Sequence, residues 1–150
     1  LNLARTPEGN DRAQAKPIHE CVCDVAVMNT YYFGKMKFNE KKPEQQEWAK
    51  SINLVFTNQD NRGNHINVAG GGVLKYSKNK DNAITLLEFL TQPKAQELYS
   101  TMNFEYPVNS SVILSEELNS WGEFKEDKLP VERLAELAPT AQKIIDRVGW

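Results

Sequence analysis

The apolar positions in the middle of the chain repeat with the period of an α-helix. They stand at i, i+3, i+4 and i+7, which places them on one helical face: Ala83, Leu86, Leu87 and Leu90. A second helix is predicted to begin at Pro93, because proline is accepted in the first helical turn, where its missing N–H would have no partner. Two consecutive helices are therefore expected in this region.

Further helices are predicted on both sides of this region. A short polar side chain at Asn10 or Asp11 can accept hydrogen bonds from the free amides of a first turn, which predicts a helix over 12–21. Pro17 should kink or shorten that helix. The other predicted helices start at Asn29 or Thr30, run from Pro43 to about residue 50, and form two short helices at 134–137 and 144–148.

Between the helices lie short apolar or alternating runs that are typical of strands. They cover residues 24–29, 52–57, 65–69 and 73–76. The three glycines at 70–72 stand within this pattern and indicate a bend, a bulge or a close approach of the backbone to a neighbour. Strands that alternate with helices predict an α/β fold.

Composition and charge narrow the class of protein. The 150 residues are 40% hydrophobic, which is enough for one compact domain. The 18 basic and 20 acidic side chains leave a net charge of −2, so the basic face that nucleic-acid binding requires is not expected. No apolar run is long enough for a membrane-spanning helix. The chain does not begin with methionine, and we expect its start to result from processing.

The two cysteines, Cys21 and Cys23, are separated by a single residue. This spacing suits neither a zinc ribbon nor a C-x-x-C redox motif, and a disulfide across it would be strained. We therefore expect two small, buried thiols. A hydrolase with either cysteine as nucleophile needs a histidine base, but the nearby His19 would point to a different helical face. The pattern therefore favours a surface histidine beside a buried cysteine over a hydrolase site.

A tandem tyrosine pair, Tyr31-Tyr32, follows the strand predicted at 24–29. In α/β folds, ligands collect where strands end and helices begin. Two adjacent phenols can converge on one point from a first helical turn, and two phenolates favour a hard, highly charged cation. Fe³⁺ is the candidate, since Zn²⁺ prefers nitrogen and sulfur and Ca²⁺ prefers carboxylates and carbonyls. Taken alone, a tandem tyrosine pair is more often typical of interfacial packing with two satisfied hydroxyls.

Longer stretches of the sequence resemble a known family. They are Ala4 to Gln14 (ARTPEGNDRAQ), Cys23-Asp24-Val25-Ala26, Asn29-Thr30-Tyr31-Tyr32, Asn64-His65-Ile66-Asn67, residues 79–90 and Glu105-Tyr106-Pro107-Val108-Asn109. In this order they resemble the periplasmic ferric-iron-binding proteins of ABC importers, from near residue 3 to the end of the chain. The Asn-x-Tyr-Tyr segment is the most specific of these matches.

The resemblance implies a type II periplasmic-binding-protein fold, in which two hinged lobes close on Fe³⁺. Tyr31 and Tyr32 match the tandem ligand tyrosines of the family. Asn29 matches a position that, in some members, contacts an anion completing the iron shell, such as carbonate or phosphate. The resemblance further implies a periplasmic protein that delivers iron to an inner-membrane permease without chemical turnover.

Family members are considerably longer than this chain. Residues 1–150 resemble the C-terminal half of the family, so the other iron ligands are expected in the N-terminal part of the protein. His19 and His65 match no ligand motif of the family. A binding protein of the same fold for an oxyanion or a small organic molecule is the alternative function.

Overall fold

The computed structural model describes Leu3, Arg5, Thr6 and residues 8–149, so Ala4 and Pro7 of the first matched segment lie outside the described residues. Helices dominate this part of the chain. In chain order they are α1 (Asp11–His19), α2 (Thr30–Lys37), α3 (Pro43–Lys50), α4 (Lys80–Leu90), α5 (Pro93–Leu98), a π-helical turn (Tyr99–Asn103), α6 (Glu116–Ser120) and α7 (Val131–Val148). The helices predicted near Asn10, Asn29, Pro43, Leu87 and Pro93 are thereby confirmed.

Helices α1, α2 and α3 pack around small and unbranched side chains. Ala15 of α1, Met36 of α2 and Ala49 of α3 form a buried cluster. Phe33 and Trp48 are partly buried against it. The two alanines let the helix backbones approach closely, and Met36 fills the space between them. This cluster fixes α2 against α1.

The first helix begins as the sequence predicts and ends earlier. The side chain of Asn10 accepts a hydrogen bond from the backbone N–H of Ala13, which satisfies one free amide of the first turn. The helix continues through Pro17 and ends at His19, two residues before the predicted end at Cys21. Cys21 adopts a positive φ of 56°, a conformation that a helix cannot continue through. The helix is thus shorter than predicted and continues through Pro17, and the positive φ of Cys21 marks the point that it does not pass.

The segments predicted as strands are extended but form no sheet among the described residues. Residues 24–29, 52–57, 65–69 and 73–76 carry no ladder hydrogen bonds to one another. Alternation is nevertheless present in 52–57, where Ile52, Leu54 and Phe56 are half-buried and Val55 is 79% exposed. A strand exists only through hydrogen bonds to a neighbouring strand, and these segments find no such neighbour within the described chain. As a prediction for this chain by itself, the strands are wrong.

One short pairing joins the middle of the chain to its last third. Asn64 forms a parallel bridge with Glu126. The backbone N–H of Asn64 donates to the carbonyl of Lys125 at 2.8 Å, and that of Asp127 donates to the carbonyl of Asn64 at 2.8 Å. Phe56 stacks on Phe124 beside it, with ring centroids 4.2 Å apart. The extended middle of the chain is therefore joined here to the last third of the chain.

The C-terminal segment forms one long helix where two short ones were predicted. α7 runs from Val131 to Val148 with Pro139 inside it. Proline removes one backbone hydrogen bond and crowds the preceding turn, but the helix on each side of it supplies enough bonds to continue. The prediction of two separate helices is therefore wrong.

A large share of the apolar surface is exposed. The accessible surface is 11,483 Å², whereas a compact monomer of this mass exposes about 7,800 Å². Large apolar side chains with at least 75% exposure occur in the extended segments and loops: Val25, Val27, Val55, Leu74, Tyr76, Val108 and Ile113. Among the described residues, no helix combines the length and the apolarity needed to cross a bilayer. Exposed apolar faces of this size are typical of surfaces that contact another part of a protein.

Candidate metal-binding site at the tyrosine pair

Tyr31 and Tyr32 occupy the first turn of α2. Asn29 precedes the helix in an extended conformation, and its carbonyl accepts the first helical hydrogen bond from the Tyr32 amide at 3.1 Å. The two rings lie side by side, with centroids 4.2 Å apart and planes inclined by 35°. Adjacent residues within a regular helix point about 100° apart, so the start of the helix is the position from which both phenols can lie together.

Both tyrosines are half-buried. They are neither splayed apart nor enclosed in the hydrophobic interior. A side-chain hydrogen bond to Tyr32, burial, and the negative charges of Asp11 and Glu105 raise the pKa of Tyr31 to about 12. Without a cation Tyr31 is therefore a neutral phenol at physiological pH. A hard cation would have to displace its proton in order to bind.

Each ring carries a cation on its face. The guanidinium carbon of Arg12 lies 5.1 Å from the centroid of the Tyr32 ring, and the Lys35 ammonium lies 4.9 Å from that of the Tyr31 ring. A cation in this position is attracted by the negative electrostatic potential at the face of an aromatic ring. The Nε atom of Arg12 is buried without a hydrogen-bond partner. A cation thus contacts the face of each ring.

Asn29 is held by side chains from two other segments. Its backbone N–H and its side-chain amide both donate to the carboxylate of Asp11, at 2.7 and 3.0 Å. Its side-chain carbonyl accepts from the amide of Asn67 at 2.8 Å. One amide hydrogen of Asn29 remains after these contacts. The residue predicted to contact an anion is therefore also the junction of α1, α2 and the extended segment 65–69.

The far side of α2 rests on two aromatic rings. Gly34 is buried, and a Cβ placed on it would overlap Cγ of Phe104 and lie 2.7 Å from its Cδ2. Phe104 follows the π-helical turn with a positive φ of 58° and stacks on Phe38 with centroids 5.4 Å apart. Only a residue without a side chain allows this approach. The position of the tyrosine helix is thus set by Gly34.

The C-terminal end of α2 is fixed to α6. The Lys37 ammonium donates to both carboxylate oxygens of Glu117, at 2.8 and 2.7 Å. The indole N–H of Trp121 donates to the same carboxylate at 2.8 Å. The Glu117 side chain is only 11% exposed, so this ion pair is partly shielded from water. Both ends of the tyrosine helix are therefore held in place.

The cysteines take no part in this site. Cys21 is exposed and Cys23 is half-buried, so the expectation of two buried thiols is wrong. The turn after α1 places them at the surface, since Cys21 leaves the helix with a positive φ. The Nδ1 atom of His19 lies 2.8 Å from the Ser51 hydroxyl. The histidine that a cysteine hydrolase would need as a base is thus engaged elsewhere.

Donors for a softer or carboxylate-bound metal are not gathered in the described part of the chain. No group of three or more histidine, cysteine, aspartate or glutamate side chains lies close enough together to hold an ion there. The oxygen donors of the tyrosine pair are of the hard kind that suits a trivalent cation.

Comparison with known proteins gives the class of this chain. Residues 26–126 match the family described as bacterial extracellular solute-binding protein, and the chain belongs to that family. It is 38% identical over 149 residues to iron uptake protein A1 of Synechocystis sp., covering 99% of this chain and 41% of that protein.

Solved structures extend the similarity to the fold. The chain superposes on the ferric binding protein from Campylobacter jejuni with a TM-score of 0.93 and 44% identity, and on a Trichodesmium protein in complex with iron and citrate with a TM-score of 0.92 and 43% identity. Both matches cover 99% of this chain and 46% and 47% of those chains. The predicted fold class, part of a type II periplasmic-binding-protein fold, is confirmed.

The chain therefore spans less than half the length of the relatives it matches. This explains how the α/β class can be right while the strands stay unpaired in the described residues. Three residues at the site were missed by the sequence analysis as contributors: Asp11, Arg12 and Asn67. All three lie inside the segments at 4–14 and 64–67 that resemble the family, and this position is the signal that could have identified them.

Proposed function

We propose that this chain is the C-terminal half of a periplasmic protein that binds Fe³⁺ and delivers it to an ABC-type permease in the inner membrane. The phenolates of Tyr31 and Tyr32 are the ligands that this half contributes. The observation that carries the proposal is the side-by-side placement of the two rings, 4.2 Å apart, in the first turn of α2. The names of the relatives, an iron uptake protein and a ferric binding protein, support it.

The chemistry follows from the donor atoms. Phenolate is a hard oxygen donor, and a trivalent ion supplies the field that removes a proton held with a pKa of about 12. Two phenolates leave most of an octahedral shell to other ligands. An anion such as carbonate or phosphate, or citrate as in the Trichodesmium structure, would fill part of it beside the remaining amide hydrogen of Asn29.

The N-terminal half of the same protein supplies the remaining ligands and covers the exposed apolar faces. The accessible surface exceeds that of a compact monomer by about 3,700 Å², and the unpaired extended segments 24–29 and 52–57 contribute exposed apolar side chains such as Val25, Val27 and Val55. Strands from the N-terminal half would pair with these segments and complete the sheets. Closure of two lobes would then exclude water from the ion and hold it without any chemical turnover.

Titration of the intact protein with ferric citrate tests this proposal. We expect a tyrosinate-to-iron charge-transfer band in the visible spectrum, saturating at one Fe³⁺ per protein, because a ferric ion withdraws charge from a bound phenolate. The midpoint temperature of thermal unfolding should rise in the same samples, since a ligand that binds only the folded state stabilises it. A protein that stays colourless and gains stability from citrate or phosphate alone would be an anion-binding protein of the same fold.

Acid is expected to weaken iron binding. Each phenol loses one proton when it binds, so two protons leave per ion and the apparent affinity should fall by up to about 100-fold for each unit of falling pH. Monitoring the charge-transfer band from pH 8 to pH 5 against a competing chelator, corrected for the chelator's own titration, measures this slope. A band indifferent to pH would contradict phenolate ligation.

The raised pKa of Tyr31 also makes the stability of the iron-free protein depend on pH. Since the pKa of Tyr31 is raised from 10.0 to about 12, the neutral phenol is favoured in the folded state. Its contribution to stability is fully present below pH 10 and is lost as the pH rises through 12. The acid dependence of iron binding therefore does not come from loss of the fold at this residue.

A further inference from the structure

We propose that Asp11 is a positioning residue for the iron site, holding the tyrosine-bearing end of α2 against α1 by way of Asn29. This inference rests on the proposed function of the tyrosine pair. Asp11 itself is not placed as a ligand. Its role is to fix the position of the start of α2, from which the two phenols project.

The geometry of the contact is specific. Both hydrogen bonds from Asn29 end on the same carboxylate oxygen, Oδ1 of Asp11, at 2.7 Å from the backbone nitrogen and 3.0 Å from the side-chain nitrogen. The contact is partly buried, which lowers competition from water. A charged acceptor makes such hydrogen bonds stronger than neutral ones. One oxygen atom therefore restrains both the backbone and the side chain of the residue that precedes α2.

Asp11 is itself well placed to act as a fixed point. It is the first residue of α1, and that helix is closed at its start by the Asn10 side chain on the amide of Ala13. Ala15, one turn further along α1, is fully buried in the cluster that also contains Met36 of α2. The same pair of helices is thus joined twice, by apolar packing in the middle and by the Asp11 contact at the tyrosine end.

The tyrosines follow this junction directly. Asn29 is two residues before Tyr31, and its carbonyl accepts the first hydrogen bond of α2 from the Tyr32 amide. A change in the direction of the Asn29 peptide would therefore turn both phenols together. Asn67 restrains the other side of Asn29, at its side-chain carbonyl. Without Asp11 the junction keeps only this exposed contact, so the first turn of α2 loses its partly buried anchor.

Asp11 also has effects that must be separated from positioning. Its negative charge acts on Tyr31, and an acidic residue in a first turn stabilises a helix. Asp11→Asn separates these effects, because an amide oxygen in the place of Oδ1 can accept both hydrogen bonds without the charge. Asp81→Ala is the matched control, since Asp81 is an exposed acid in the first turn of α4 and makes no side-chain hydrogen bond in the described structure.

The experiment measures ferric iron affinity and the charge-transfer band of the intact protein and its variants. We expect Asp11→Ala to weaken iron binding by about 10- to 100-fold, the cost typical of losing a partner that orients a metal ligand. The band should also shift in wavelength, because the phenolates meet the ion at a changed angle. Asp11→Asn should keep most of the affinity, and Asp81→Ala should match the wild type.

Two results with the alanine and asparagine variants would overturn the inference. One is a wild type that forms the band together with an Asp11→Ala variant that binds iron as tightly. The other is an Asp11→Asn variant as weak as Asp11→Ala, which would assign the effect to charge. If Asp11→Ala does not fold, Asp11→Glu keeps the charge and the helix start but moves the carboxylate by one methylene, and equal affinity would overturn the inference too. A wild type without any band would refute the proposed function itself.

Discussion

Replacing both Tyr31 and Tyr32 with phenylalanine is expected to abolish ferric iron binding and the visible band. Phenylalanine preserves the two rings and their packing at 4.2 Å, so the change removes only the oxygen atoms that we propose as iron ligands. Losing a residue that merely supports a metal ligand costs about 10- to 100-fold in affinity, so losing two ligands should cost more than about 1,000-fold. Competition with a ferric chelator measures the affinity, and the spectrum reports the ligation directly.

The single variants should differ from each other. In Tyr32→Phe, Tyr31 loses the hydrogen bond that contributes most to its raised pKa, so its proton should be easier to displace. In Tyr31→Phe, Tyr32 keeps its ring contact with Arg12 and remains the only phenol of the pair. Each variant should show a weaker band than the wild type.

A matched control shows whether the loss is specific to the pair. Tyr76→Phe removes a hydroxyl from a tyrosine that is 85% exposed and lies outside α2. It should leave the affinity and the band unchanged. A double variant of Tyr31 and Tyr32 that still turns coloured with ferric citrate would place the iron elsewhere in the protein.

The sequence predicted the helices well because their signals are local. Asn10, Pro43 and Pro93 act through the amides of the first turn beside them, and these signals operate whatever the rest of the protein does. Strands depend on partners instead. Residues 52–57 keep the alternation of a strand, yet they have no neighbour to pair with in the described chain.

The candidate site likewise contains features that local sequence predicts and contacts that it does not predict. The tyrosine pair was predicted because two adjacent phenols in a first turn form a local pattern, and the structure places them there. The contact between Asp11 and Asn29 joins residues 18 positions apart, and nothing in their local sequence requires it. The close approach of Gly34 to Phe104 is similar, since it depends on how α2 crosses the end of the π-helical turn.

Gly34→Ala is the second change from which we expect a large effect. Alanine in the middle of a helix normally stabilises it by about 0.5–1 kcal/mol relative to glycine. Here the new Cβ would overlap Cγ of Phe104 and lie 2.8 Å from its Cβ, and overpacking of this kind costs about 1–3 kcal/mol. The Cβ of Phe104 is bonded directly to the backbone, so rotation of the side chain cannot move it away from the new methyl group. Strain should therefore exceed the gain in helix propensity.

The strain should reach the proposed iron site at the tyrosine pair because α2 is short and stiff. Its last residue, Lys37, is held by Glu117, so relief of the clash would move the other end, where the tyrosines lie. We expect Gly34→Ala to lower the free energy of unfolding and to weaken iron binding together. Urea unfolding and the ferric titration measure the two effects on the same protein.

Two further variants decide whether the clash is the cause. Gly72→Ala adds the same methyl group at a glycine with open space around it, and it should change neither quantity by more than about 0.5 kcal/mol. Adding Phe104→Gly to Gly34→Ala removes the ring that the methyl group meets, and glycine accepts the positive φ of 58° at that position. If iron affinity does not recover at all in this double variant, contact with Phe104 is not what sets the position of α2. Recovery of affinity without full recovery of stability would instead separate the placement of the tyrosines from the lost stacking of Phe104 on Phe38.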